Sequence, residues 1–158
     1  DVQLKPVVYS AIDNALENLE GEVQVDCSEN IHVQANSHFS VAIESLIENG
    51  LVHNTSEQPS VTVNCSTSSD GTISVIISDN GDGIPEPDAK ILREGTDGTK
   101  LKHGSGLGLW MIKWVIENCN GEIEILSTDT TGTKLKITLQ SEESSYDYKR
   151  GQNIFKRS

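Results

Sequence analysis

The pattern of polar and apolar residues predicts an α/β (α+β) two-layer sandwich, with three helices on one face of a mixed, mainly antiparallel sheet. Three observations carry this reading. Val61, Val63 and Cys65 alternate with polar residues, Ser69-Asp70-Gly71 supplies a turn, and Ile73, Val75 and Ile77 alternate again, which is the signature of a hairpin. Apolar residues return at helical spacing in three other segments. No regular strand–helix–strand alternation runs along the chain, which argues against a doubly wound parallel sheet.

The elements follow in order. Pro6 to Leu19 places Val8, Ile12, Ala15, Leu16 and Leu19 on one helical face, with Pro6 suited to a first turn. Segments 22–26 and 30–35 alternate around a polar turn and read as a second hairpin. Asn36 is a plausible cap for a helix reaching about His53, with Phe39, Ile43, Leu46, Ile47 and Gly50 on its inner face. From Asp79 to Gly106 the chain is dense in Gly, Asp and Pro and reads as a loop. A third helix spans 107–118 and is expected to bury Leu107, Met111, Trp114 and Val115. A last hairpin turns at Thr131-Gly132-Thr133. Residues 1–140 would form the folded domain, and the polar stretch 141–158 has no period and reads as a disordered tail.

The 158 residues suffice for one substantial core. A net charge of −12 argues against nucleic-acid partners, which demand clustered cations. It also means that a bound polyanion would need backbone N–H groups, helix dipoles or a metal ion. No apolar run is long enough to span a bilayer, so any membrane link would lie outside this segment. No direct membrane contact and a cytoplasmic setting are expected, whether or not the full protein is membrane-associated. Cys27, Cys65 and Cys119 are widely spaced and read as buried apolar residues, not a zinc site.

Three clusters interrupt the structural pattern. In the first, Asn49 and His53 stand four apart and share a helix face. An amide oxygen is a hard neutral ligand for Mg²⁺ beside phosphates, and His53 could donate to a phosphate; a capping Asn and a surface His are the plainer reading. In the second, Asp79-Asn80-Gly81-Asp82-Gly83-Ile84-Pro85 follows a strand. A carboxylate there can accept from the exocyclic amine of adenine, while Gly81 and Gly83 allow a sharp turn close to a flat base. A calcium loop is disfavoured because Lys90 stands where a distal Glu belongs. In the third, Gly104-Ser105-Gly106-Leu107-Gly108-Leu109 opens a helix, where free N–H groups and the helix dipole attract an anion.

Asn49, Asp79-x-Gly81-x-Gly83, Gly104-x-Gly106-Leu107-Gly108-Leu109 and Gly132-Thr133, in that order, resemble the N, G1, G2 and GT boxes of a superfamily of histidine kinases, DNA gyrase, mismatch-repair ATPases and heat-shock chaperones. The resemblance implies the Bergerat fold and ATP with Mg²⁺ as ligands. Carried over, it makes Asn49 the metal ligand and Asp79 the adenine reader, with Gly81, Gly83 and Ile84 around the base. Gly104 to Leu109 would cover the phosphates, and Thr133 would support Asp79. Residues 85–103 would form a flexible lid from which Lys100, Lys102 or His103 could reach the phosphates.

Within the superfamily, hydrolysing branches carry a Glu four residues before the Asn, and here that position is Ser45. A hydroxyl cannot replace a carboxylate as general base. Val52 replaces a frequent basic residue, and Glu44 is a weak candidate base toward an acceptor histidine. The chain therefore resembles the ATP-binding catalytic domain of a sensor histidine kinase, with some similarity to haloarchaeal examples. The resemblance implies a phospho-acceptor His on a separate dimerisation domain of the same protein and a response-regulator receiver as partners. Alternatives are a non-catalytic nucleotide-binding regulatory module and an anti-sigma-type serine kinase.

Overall fold

A computed structural model describes residues 2–52, 54–95 and 104–141, with the backbone alone described over 104–107. The elements are β1 (Val2–Gln3), α1 (Leu4–Leu16), β2 (Glu22–Asp26), β3 (His32–Val33), α2 (Phe39–Val52), β4 (Ser60–Thr67), β5 (Ile73–Asp79), α3 (Glu86–Glu94), α4 (Gly104–Asn118), β6 (Glu122–Asp129) and β7 (Gly132–Leu139). A five-stranded sheet runs in the order β2-β4-β5-β7-β6, and β1 pairs separately with β3. Only β2 and β4 are parallel; the other pairs of the large sheet are antiparallel.

The sheet's register explains the two layers. Val61, Asp79 and Thr133 lie side by side across β4, β5 and β7. The next rows on that face are Val63, Ile77 and Leu135, and then Cys65, Val75 and Ile137. Side chains alternate between faces along a strand, so all these residues share one face. The opposite face carries Thr62, Asn64, Ser78, Lys134 and Lys136 and meets solvent. Helices α1, α2 and α4 cover the apolar face, and their buried residues merge with it into one core that includes Leu4, Val8, Phe39, Ile47, Ile112, Ile116 and Ile137. The mixed, mainly antiparallel sandwich is as the sequence predicts.

Four expectations are corrected. Segment 22–26 does not form a hairpin with 30–35: β2 pairs in parallel with β4, while β3 pairs with β1. Helix α2 is the crossover that returns the chain to a parallel neighbour, so one strand–helix–strand unit is present after all. Among the described residues there are four helices and not three, because residues 86–94 of the expected lid are helical. Pro85 caps this helix, Glu86 and Asp88 fill its first turn, and Gly95 ends it at φ 82°, with its N–H bonded to the Ile91 carbonyl. Lys113 of α4 donates from Nζ to the Leu92 carbonyl at 2.7 Å and so holds the helix end. The buried face of α4 is Leu109, Ile112, Val115, Ile116 and Cys119, whereas Met111 and Trp114 are 43% and 51% exposed. The helix is turned by about one residue from the expected face because β-branched Ile112 and Ile116 fit the sheet.

The Asn36 cap holds in modified form: its Oδ1 accepts from the His38 N–H at 2.9 Å just before α2. Cys27 and Cys119 are buried, Cys65 is half-buried, and all three are free. The expected tail beyond Ser141 and lid residues 96–103 lie outside the described residues. No described helix is long and apolar enough to cross a membrane.

The two faces of α4 should respond differently to truncation. Ile116→Ala removes a fully buried side chain and should cost about 2–5 kcal/mol. Trp114→Ala should cost less than about 1 kcal/mol, since the side chain is half in water. Urea unfolding of both variants measures the contrast.

Candidate functional site

Strand β5 carries an apolar row that ends in a carboxylate. Asp79 continues the row of Ile73, Val75 and Ile77, so its side chain points to the helix-covered face and is half-buried. Two backbone donors hold one of its oxygens: the Gly81 N–H at 2.9 Å and the Thr133 N–H at 3.3 Å both reach Oδ1. Among the described residues, Oδ2 takes no hydrogen bond. Burial pushes the Asp79 carboxyl above its ordinary value, and the Gly81 and Thr133 hydrogen bonds oppose that rise.

Helix α2 crosses directly above. A Cβ placed on Gly50 would stand 2.8 Å from Val61 Cγ2 and 3.1 Å from Asp79 Cβ. The bare backbone at residue 50 therefore lets the helix rest on the strand ends. It also brings Asn49, one residue earlier, to the edge of the same space.

That space is a cavity of about 530 Å³. Leu46, Ile84, Leu109 and Leu135 give it apolar walls, and Asn49, Asp79 and Thr133 are among its polar groups. Gly81, Gly83 and Ile84 line it as well. Gly83 sits at φ +91°, where a Cβ would meet the Asp129 carbonyl oxygen at 2.5 Å, so this position requires glycine. The next residue, Ile84, donates its N–H to Thr128 Oγ1 at 2.8 Å, and Thr128 Oγ1 lies 2.9 Å from Thr133 Oγ1. Thr133 thus meets Asp79 through its backbone, while its hydroxyl steadies the loop that carries Ile84.

The glycine cluster 104–108 forms the first turns of α4, not a loop before it. The first N–H groups of such a helix lack intrahelical partners. Leu109, in the second turn of α4, is buried on the cavity wall. Of the remaining sequence candidates, His53, Lys102 and His103 lie outside the described residues. Glu44 does not line the cavity; it stands one turn before Glu48 on α2. Burial, then the neighbouring Glu44, raise the Glu48 carboxyl above its ordinary value.

Sequence reasoning missed several contributors. Thr55, Asp82 and Asp88 also line the cavity. Asn54 joins the two halves of the site: its Nδ2 donates to the Gly50 carbonyl at 3.0 Å and to Asn80 Oδ1 at 2.6 Å. Asn80 in turn accepts from the Ser60 N–H and donates to the Gln58 carbonyl. Thr55 Oγ1 donates to Asp82 Oδ1 at 2.7 Å. The signal was present in an Asn after the helix and an Asn inside the Asp-Gly loop, but only the fold shows that they meet.

The family described as histidine kinase-, DNA gyrase B-, and HSP90-like ATPase matches residues 34–143. The chain belongs to this family. It is 28% identical over 148 residues to the sensor-like histidine kinase SenX3 of Mycobacterium tuberculosis, and equally to that of Mycobacterium bovis. The match covers 88% of this chain but 36% of SenX3, so the chain spans about a third of the curated relatives it matches. Among solved structures, the mycobacterial sensor histidine kinase MprB superposes with a TM-score of 0.68 at 22% identity, covering 89% of this chain and 97% of that one. The catalytic domain of histidine kinase ThkA gives 0.66 at 19% identity, covering 88% and 93%. Full-length ShkA, solved in complex with AMPPNP, gives 0.67 at 16% identity, covering 89% of this chain and 30% of ShkA. The fold of this ATPase-family chain is thus the one shared by histidine kinase catalytic domains.

Two tests follow from the packing at Asp79. Gly50→Ala should lower stability by about 1–3 kcal/mol, because the added methyl meets a strand side chain; the urea midpoint should fall with an unchanged m-value. The raised Asp79 carboxyl binds its proton more tightly folded than unfolded. Stability of the nucleotide-free protein should therefore decline as pH rises through the window between the ordinary and the raised value. Asp79→Asn should remove that component of the pH profile, as read from thermal unfolding across acid pH.

Proposed function

We propose that this chain is the ATP-binding catalytic domain of a two-component sensor histidine kinase, which donates the γ-phosphoryl group of ATP to a histidine on a separate dimerisation domain. One observation carries the reading. A carboxylate with one oxygen tied to two backbone N–H groups, and the other without a partner among the described residues, stands among the apolar side chains Leu46, Ile84, Leu109 and Leu135 in a nucleotide-sized cavity. Adenine presents an exocyclic amine that such an oxygen accepts, whereas guanine presents a carbonyl that it repels. The apolar walls from Leu46, Ile84, Leu109 and Leu135 suit the faces of a purine.

The phosphate side is built from helix ends. Asn49, on the last turns of α2, offers a neutral oxygen to Mg²⁺, which suits a metal already neutralised by phosphates. The metal, when bound, would offset charge on the transferring group. The first turn of α4 presents backbone N–H groups and the positive end of its dipole to an anion. Asp79, Asn49 and Leu109 of α4 border one space, which suits a molecule with a base at one end and phosphates at the other. The AMPPNP complex of ShkA, a neighbour in fold, supports a nucleotide in such a site.

Transfer needs an acceptor in line with the phosphate, and positioning would come from docking of the acceptor domain. Ser45 stands where hydrolysing relatives hold a Glu, so no carboxylate activates water from that position. This suits a domain that keeps ATP intact until its acceptor histidine arrives. A receiver domain would then take the phosphoryl group from that histidine. A non-catalytic nucleotide-binding module is the second reading, favoured by Ser45 and by Val52, which is 53% exposed at the cavity edge where relatives carry a cation.

Calorimetric titration with Mg²⁺ and a non-hydrolysable ATP analogue should show saturable binding, with the guanine analogue at least about tenfold weaker; no saturation at millimolar nucleotide would sink the proposal. Asp79→Asn should erase the adenine preference at a cost of about 1.5–3 kcal/mol, the scale of a hydrogen bond to a charged group. Asn49→Ala should leave binding that no longer responds to Mg²⁺. Mixing the domain with a helical hairpin bearing the acceptor His separates the two readings, because acid-labile phosphate forms only if the domain is a kinase.

A further inference from the structure

The apolar face of the sheet has a second chemical feature at the far end from the cavity. β2 and β4 are parallel, with Val23 beside Val61, Val25 beside Val63 and Asp26 beside Asn64. β2 ends at Asp26, and the register continued by one residue would set Cys27 beside Cys65, on the core side of the sheet. Parallel neighbours lie about 4.8 Å apart, inside the roughly 4.4–6.8 Å Cα separation that a disulfide bridges. Cys27 belongs to the buried core, and Cys65 packs against that core. Both are free thiols, Cys27 buried and Cys65 half-buried, whereas Cys119 lies buried at the end of α4.

We infer that Cys27 and Cys65 are a redox-modifiable pair that closes into a reversible disulfide, tying the edge strand β2 to β4. The step is an exchange with a small disulfide. A thiolate of the pair attacks the oxidant and releases one small thiol, forming a mixed disulfide. The second cysteine, losing its proton, attacks the protein sulfur of that mixed disulfide and releases the other small thiol. Two protein thiols are oxidised and one small disulfide is reduced to two thiols.

The surroundings set the rate and the oxidant. Burial pushes the Cys65 thiol up, and the neighbouring Cys27 and the Asp26 charge add to the rise. Thiolate is therefore scarce and closure is slow. Asp26 and a net charge of −12 disfavour anionic oxidants, so a neutral disulfide is the better reagent. The bridge would close a loop from 27 to 65 that contains all of α2. It would sit about 13 Å along β4 from Val61, the residue beside Asp79, so it should stiffen the fold without entering the cavity.

The test is incubation of the whole chain with hydroxyethyl disulfide at about pH 8, followed by proteolysis and mass spectrometry. A Cys27–Cys65 linked peptide, lost on adding dithiothreitol and formed equally in Cys119→Ser, is the expected result. Cys65→Ser should abolish it, and Cys27→Ala serves if that variant fails to fold. The oxidised protein should melt roughly 5–10 °C higher, while affinity for the ATP analogue stays within twofold. Absence of the linked peptide from the folded chain, when the same reagent oxidises the urea-unfolded chain, would overturn the inference. So would linkage chiefly to Cys119, or linkage only between molecules.

Discussion

The site depends on how closely helix α2 can approach the ends of β4 and β5. Residue 50 has no side chain, and any Cβ there would collide with Val61 and press on Asp79. Contact at that point does three things together. It shields one side of the Asp79 carboxylate from water, which raises its proton affinity. It sets Asn49 at the border of the cavity that Asp79 also lines. It also lets Asn54, just past the helix, reach Asn80 in the loop that follows β5. A helix held farther off by a methyl group would loosen all three, although none of them involves residue 50 chemically.

The price of such burial is a carboxylate on an apolar face, and the sheet meets it with backbone. Asp79 lies opposite Thr133 in the β5–β7 ladder, so the donor that reaches Oδ1 is part of the ladder's own register. The second donor, Gly81, comes from the turn immediately after the strand. Backbone donors lose no side-chain entropy and cannot swing away. Thr133 then uses its hydroxyl elsewhere, toward Thr128 and through it the Ile84 N–H. A late Gly-Thr pair, an Asp and an Ile far apart in sequence are thereby one unit.

Periodicity in the sequence was enough to locate α1, α2, β4, β5, β6 and β7, because each buries one face and keeps the other wet. It misled where partners are distant. Segments 22–26 and 30–35 are near neighbours and invite a hairpin, yet the apolar Val23 and Val25 match Val61 and Val63 better and pair with them across the α2 crossover. Helix α3 hides in a polar, proline-bearing stretch because only Ala89, Ile91 and Leu92 of its apolar residues turn inward. On α4, the bulk of Met111 and Trp114 suggested the core, but the inward face of the helix carries Ile112 and Ile116 instead. The motif residues Asp79, Gly81, Gly83 and Asn49 were legible because their types are chemically unusual for their places. Thr55, Asp82, Asp88 and Asn54 were not, since polar residues in loops are ordinary until the fold brings them to a cavity.

On the proposed reading, the two ends of the cavity differ in kind, and the difference has a physical source. The adenine end is made by strand termini and a glycine turn fixed through ladder hydrogen bonds, so it is preorganised and selective. The phosphate end is made by the ends of α2 and α4, which offer one amide oxygen, a helix dipole and free N–H groups. Those elements hold an anion without attacking it. With Ser45 in place of a carboxylate, no base at that position prepares water, and neither Glu44 nor Glu48 lines the cavity. A reactive nucleophile must then come from outside the domain. The same features that make the cavity a poor hydrolase make it a good reservoir for a phosphoryl group awaiting a docked histidine.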